Sequence, residues 1–152
     1  CLESLGAPRQ GTLAGVLIVV TEHSLDSAGN LRSFVLGTDQ VTRFGVKRTD
    51  DFDVSDCTLL SPDELLLLER RASPARGIVI RIRRIPIADI KEGAVVDGRP
   101  IFEADLAYQI DNMEGIAVHR NPAGETIITL VSDDNFSIIQ RNLLLQFSVV
   151  GE

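Results

Sequence analysis

Cysteine and histidine are scarce in this chain, and their scarcity removes several classes of site. Its 152 residues include two cysteines, Cys1 and Cys57, and two histidines, His23 and His119. Two cysteines cannot build a disulfide framework and lack the spacing of a zinc site, so they leave the redox compartment open. Long apolar runs are missing too. The longest, residues 16–20, falls far short of the roughly 20 residues a membrane helix needs, and no charged, apolar, small-residue signal pattern opens the sequence. No membrane span is expected.

Positive charge is also in deficit. Fifteen Lys and Arg face 22 Asp and Glu, a formal net charge of −7, with a pI near 4.8. Affinity for a phosphate backbone comes from clustered cations, so nucleic acid is excluded as a partner. One basic stretch runs against this balance, with Arg70, Arg71, Arg76, Arg81, Arg83 and Arg84 inside fifteen positions. Two readings are open: a site for an anionic substrate, or a strand face paired with nearby carboxylates. The first residue is Cys1 rather than Met, which reads as a chain cut within a domain. The lipidated Cys of a lipoprotein would be followed by a small polar linker, whereas here a patterned apolar segment follows at once.

Hydrophobic residues make up 44% and charged residues 24%, enough apolar material to bury a core and far from a disordered composition. The apolar residues fall into short runs rich in Val, Ile and Leu, bounded by Gly, Pro, Asp, Asn or Ser, and few windows show a 3.6-residue period. Strands are predicted over residues 15–21, 31–36, 41–46, 64–69, 78–85, 115–119, 126–132 and 143–149. The chain is therefore all-β.

These strands recur as a unit. Apolar strands ending in an acid occur at Glu22, Glu69 and Asp133, and upstream of each lies a second acid, Glu3, Asp56 and Glu114. The spacings are 19, 13 and 19 positions, the short one matching a tight turn at Ser61-Pro62-Asp63. Three units result, 1–50, 51–104 and 105–152, each with room for four antiparallel strands, the signature of propeller blades. Strands carrying the upstream acids are expected innermost. Residues 88–100 are expected to form a loop, and the outer strand of the second unit lies at 101–103. About three blades make a partial propeller in a single domain; missing blades before Cys1, self-association of the fragment, or an open sandwich would each cover the exposed faces.

In a propeller, repeated acids converge on the axial rim. Carboxylates gathered there need a proton, an arginine or a cation, and oxygen-only donors favour Ca²⁺. Asp133-Asp134-Asn135 and Asp111-Asn112 resemble ligand-bearing loops, although Asp and Asn also simply end strands. Arg70, Arg71 and Arg141 are candidates for gripping a phosphate, or for ion pairs with the same acids. Glu22-His23-Ser24 holds triad residue types, but neighbours along a strand do not meet as a triad.

The segment Asn112-Met113-Glu114-Gly115-Ile116-Ala117-Val118, followed by Ser132-Asp133-Asp134-Asn135-Phe136, resembles the phytase-like domain family described as having the esterase-like activity of phytase. Leu2-Glu3-Ser4-Leu5 leading to Thr21-Glu22, and residues 65–71 with Ser73-Pro74, are similar to the same family. The resemblance implies a bacterial, periplasmic or secreted protein with a propeller-like fold, whose recurring acids support hydrolysis of a small phosphorylated substrate. It marks Glu3, Glu22, Glu69, Glu114, Asp133, Asp134 and Asn135 as site residues. Asp56 departs from the Glu of the other units. The working expectation is a Ca²⁺-dependent phosphoesterase: Glu114 and Asp133 catalytic, Arg70, Arg71 and Arg141 binding substrate, and Glu3, Glu22, Glu69, Asp134 and Asn135 holding the metal. The alternative is a non-catalytic propeller that binds a ligand or uses Ca²⁺ structurally.

Overall fold

The computed structural model describes residues 2–7, 13–73, 77–108, 110–133 and 141–150, with residues 2–6 described by backbone alone. Twelve strands form: β1 (Leu2–Gly6), β2 (Leu17–Leu25), β3 (Leu31–Leu36), β4 (Val41–Val46), β5 (Asp53–Ser61), β6 (Glu64–Ser73), β7 (Gly77–Pro86), β8 (Val95–Val96), β9 (Arg99–Asp105), β10 (Met113–Arg120), β11 (Thr126–Ser132) and β12 (Leu144–Ser148). No helix among the described residues is long and apolar enough to cross a membrane. The strands make three sheets, ordered β1-β2-β3-β4-β8, β5-β6-β7-β9 and β10-β11-β12. Apart from β8, every pairing is antiparallel. Three sheets do not close a ring.

The stretch expected to be a loop at 88–100 contains β8, which pairs parallel to β4 through Gly45↔Val95 and Val46↔Val96. The segment leaves the second sheet after β7, adds a strand to the first, and returns as β9. It thereby ties the two sheets together. Two-residue strands carry almost no propensity signal, so only the sheet edge offered by β4 reveals this one.

Why the run Leu65-Leu66-Leu67-Leu68 does not alternate with polar residues follows from the layering. Leu65 and Leu67 pack with Ile18, Val20, Val35 and Phe44 of the first sheet. Leu66 and Leu68 pack with Met113, Ile116, Ile128 and Leu130 of the third. The second sheet is thus buried on both faces, and a strand in that position reads as a continuous apolar run. Strand β3 instead alternates buried and more exposed residues, as expected of a sheet with one covered face. The first strands of the three sheets lie side by side, with β5 between β1 and β10.

Each of those first strands carries an irregularity at the same place. Register shifts between Leu2 and Ser4 in β1, between Val54 and Asp56 in β5, and between Met113 and Gly115 in β10. A bulge adds one unpaired residue and reverses the side-chain alternation beyond it. The extra residues are Glu3, Ser55 and Glu114. Across the ladder, Leu2, Val54 and Met113 face Thr21, Glu69 and Ser132. The repeat read from acids alone is therefore off by one residue in the second unit. The counterpart of Glu3 and Glu114 is Ser55, not Asp56, and the counterpart of Glu22 and Asp133 is Arg70, not Glu69.

Candidate functional site

Alternation sends Glu69 and Arg70 to opposite faces of the second sheet, and their surroundings differ completely. Glu69 is fully buried toward the first sheet. Its Oε2 accepts from Arg81 Nε at 2.9 Å and Arg83 Nε at 2.8 Å, and its Oε1 accepts from Arg83 Nη2 at 2.6 Å. Both oxygens are occupied by guanidinium groups, so this carboxylate is part of the scaffold rather than of a rim, contrary to the expectation of a metal ligand. The same guanidinium groups reach outward, Arg81 to Thr49 and Asp50 and Arg83 to Asp97.

Arg70 faces the third sheet. Its Nη1 donates to Glu114 Oε1 at 3.0 Å and also to Asn112 Oδ1. Its Nη2 lies 4.0 Å from Glu22 Oε1. Asn112 Nδ2 donates to the same Glu114 oxygen at 2.5 Å. Thus Glu22 from β2, Arg70 from β6, and Asn112 with Glu114 at the start of β10 meet at one place, although they are up to 92 positions apart in sequence. Each charged side chain is about one-third exposed, 36% for Glu22, 34% for Arg70 and 35% for Glu114. The cluster is open to a ligand and held from three sheets.

Asp133 joins through its backbone, whose N–H donates to Asn112 O at 3.2 Å. Asp111, buried beside Asn112, accepts from Asn112 N at 2.8 Å and from the Arg141 backbone N at 2.9 Å. Arg141 itself is half-exposed, with Nε 3.9 Å from Asp111 Oδ2. Arg71 is directed elsewhere. It donates to Asp50 O at 3.1 Å and stacks 4.7 Å over Phe52, so it serves the loop between β4 and β5 rather than the cluster. Asp134, Asn135 and the Glu3 side chain lie outside the described residues.

Asp56 stitches two sheets together. Its Oδ2 accepts from Ile116 N at 2.9 Å and its Oδ1 from Cys57 N at 2.8 Å. Burial raises its pKa above the ordinary carboxylate value, and the two backbone donors only partly offset that. A matching stitch joins the first two sheets, where His23 Nδ1 lies 2.8 Å from Asp53 Oδ1 and Arg48 Nε donates to the same oxygen at 2.9 Å. Sequence reasoning missed this His–Asp pair because its members are 30 positions apart. His119 is exposed.

Among the described residues no group of three or more His, Cys, Asp or Glu side chains could hold a metal ion. Glu22 and Glu114 are oxygen donors of the right type for a hard cation. Within this set, however, the charge between them is supplied by Arg70.

The fold and cluster define a class: repeated antiparallel sheets whose first and second strands bring two glutamates and an arginine together. The chain belongs to the phytase-like family described as "Esterase-like activity of phytase", whose model matches residues 1–136. Comparison with curated proteins and with solved structures gave no match.

Proposed function

We propose that this chain is part of an extracytoplasmic phosphoester hydrolase, and that its three sheets are successive blades of a β-propeller with the Glu22–Arg70–Glu114 cluster on the axial rim. The observation that carries this reading is the single guanidinium of Arg70, approached by carboxylates from two other sheets. Arginine presents a planar fork suited to phosphate oxygens. An exposed pairing with carboxylates is worth at most about 1 kcal/mol, so a phosphorylated substrate displaces it at little cost.

Glu114 and Asp133 are the candidate general bases. One of them takes a proton from water as the new P–O bond forms, and that proton passes to the alkoxide as the ester P–O bond breaks. Ca²⁺, if bound, draws on Glu22 with Glu3, Asp134 and Asn135, and its chemistry is neutralisation of the phosphate charge. Glu69 leaves this ligand set because both of its oxygens are taken by buried arginines.

The test is hydrolysis of p-nitrophenyl phosphate and bis(p-nitrophenyl) phosphate, with Ca²⁺ and with a chelator. Turnover that falls in Arg70→Ala and under chelation supports the reading. Thermal stabilisation by Ca²⁺ with no turnover of either ester replaces it with the second reading, a non-catalytic binding module, which the mutual neutralisation of Arg70 and Glu114 favours.

A further inference from the structure

Asn112 is 2% exposed, yet its side chain lies inside a cluster whose charged members are each about one-third open to solvent. A buried amide needs partners at both of its ends. Its oxygen accepts from Arg70 Nη1, and its Nδ2 donates to Glu114 Oε1 at 2.5 Å. The flanking charges decide which end points where, since only the oxygen can meet a guanidinium and only the nitrogen a carboxylate. The backbone is committed as well. Its N–H donates to Asp111 Oδ1 at 2.8 Å, and its carbonyl oxygen accepts from Asp133 N at 3.2 Å. One residue therefore touches Arg70, Glu114 and Asp133 together.

The bonds fall unequally on the carboxylate of Glu114. Arg70 Nη1 at 3.0 Å and Asn112 Nδ2 both reach Oε1, and among the described residues nothing bonds Oε2. Two donors on one oxygen fix the carboxylate and leave the other oxygen to accept a proton. Of those two donors, Arg70 is the movable one, because a phosphate on its guanidinium competes with Glu114 for the same N–H groups. With Arg70 so engaged, Glu114 keeps Asn112 as its donor among the described residues. Asn112 cannot follow Arg70, because Asp111, itself 5% exposed, holds its backbone and also accepts from Arg141 N at 2.9 Å.

We infer that Asn112 is a positioning residue of the proposed hydrolase: its buried amide holds Glu114 by Oε1 so that Oε2 takes the proton from the attacking water. The inference rests on the reading of Glu114 as general base and of Arg70 as phosphate-binding, and it adds the group that lets one guanidinium bind substrate without releasing the base. Such supporting groups set the geometry that acid–base catalysis requires.

Steady-state hydrolysis of p-nitrophenyl phosphate by the full chain tests this with Asn112→Ala and Asn112→Asp, each made in wild type and in Glu114→Gln. Asn112→Ala removes both contacts, whereas Asn112→Asp keeps an acceptor for Arg70 and loses the donor to Glu114. Both should lower kcat about ten-fold or more, the effect of a small misplacement at a reacting centre. In Glu114→Gln neither should lower kcat by more than about a further two-fold, because a residue acting through a partner has nothing to act on once that partner is gone. A residue needed only for folding would lower kcat equally in both backgrounds, and that result overturns the inference. Wild-type kcat in Asn112→Asp overturns it too, since the donor to Oε1 would then be dispensable. This near-isosteric variant carries the test if Asn112→Ala does not fold. In both cases an impaired Glu114→Gln leaves the reading of Glu114 standing. Glu114→Gln with wild-type turnover removes Glu114 as the base, and Asn112 with it, in favour of Asp133. A wild type that hydrolyses no ester removes the hydrolase reading as a whole.

Discussion

Arg83 lies along both oxygens of Glu69, Nε to Oε2 at 2.8 Å and Nη2 to Oε1 at 2.6 Å, with neither side chain meaningfully exposed. Arg81 adds a third bond to Oε2 from the directly opposed position of β7. The group caps the apolar layer between the first two sheets, where Leu67 lies two residues before Glu69 on the same face and Val54 lies across the ladder from it.

Breaking a buried, hydrogen-bonded ion group by removing one partner is far more damaging than never having had it. Glu69→Gln leaves two guanidinium groups in a buried place without their counter-charge. It should lower unfolding free energy by about 3 kcal/mol or more in urea titration. A loss below about 1 kcal/mol, the level of an exposed ion pair, would show that Glu69 is solvated in solution and return it to the list of rim acids.

Phe52 closes the outside of the same group. Its ring has Arg81 stacked 4.0 Å away and Arg71 at 4.7 Å, and it follows two residues with left-handed backbone, Asp50 at φ 55 and Asp51 at φ 58. Asp is among the few non-glycine types that tolerate that conformation. Arg81 pairs with Asp50 and Arg48 with Asp51 across this turn. Phe52→Leu keeps the apolar volume but removes the aromatic face from two cations, and should cost about 1–3 kcal/mol by chemical denaturation. An effect within about 0.5 kcal/mol, the range of ordinary surface substitutions, would mean the two stacked cations add nothing.

Asp56 gives a pH signature. Its folded pKa is raised by burial, so between the unfolded value of 3.8 and the folded one the native state holds a proton that the unfolded chain has released. Stability from this group therefore falls as pH rises through that window, and its penalty is complete above it. Asp56→Asn cannot titrate and presents one acceptor oxygen to two amides, so it should be less stable than wild type at pH 7 by about 1–3 kcal/mol. The gap in unfolding free energy between wild type and variant should widen as the pH is lowered through the window. A gap that narrows toward acid would show that the amides from Ile116 and Cys57 outweigh burial.

Much of the fold was legible because its physics is local. Alternation and turn residues gave the third strands 31–36 and 78–85, which form as Leu31–Leu36 and Gly77–Pro86. The repeated acids suggest a shared rim, and of them Glu22 and Glu114 lie within 4.0 Å of Arg70. What escaped was parity. A bulge has no residue signature of its own, yet it exchanges the faces of everything beyond it, so a repeat aligned on acids alone puts Asp56 and Glu69 where the ladder puts Ser55 and Arg70. A cation standing in an acid's place cannot be found by searching for repeated acids.

Because Arg70 lies between the carboxylates of Glu22 and Glu114, its replacement separates the proposed hydrolysis from folding. The side chain is about one-third exposed, and pairs at that exposure contribute at most about 1 kcal/mol to stability. Arg70→Lys keeps the charge and loses the fork, so one ammonium cannot serve Glu114 and Asn112 while also presenting a donor toward Glu22. Unfolding free energy should stay within about 1 kcal/mol of wild type. Phosphoester turnover should nonetheless fall at least ten-fold, with KM rising, since a point charge orients a phosphate less well than two fixed N–H donors do. Arg70→Lys with wild-type KM would mean that phosphate does not sit on this guanidinium.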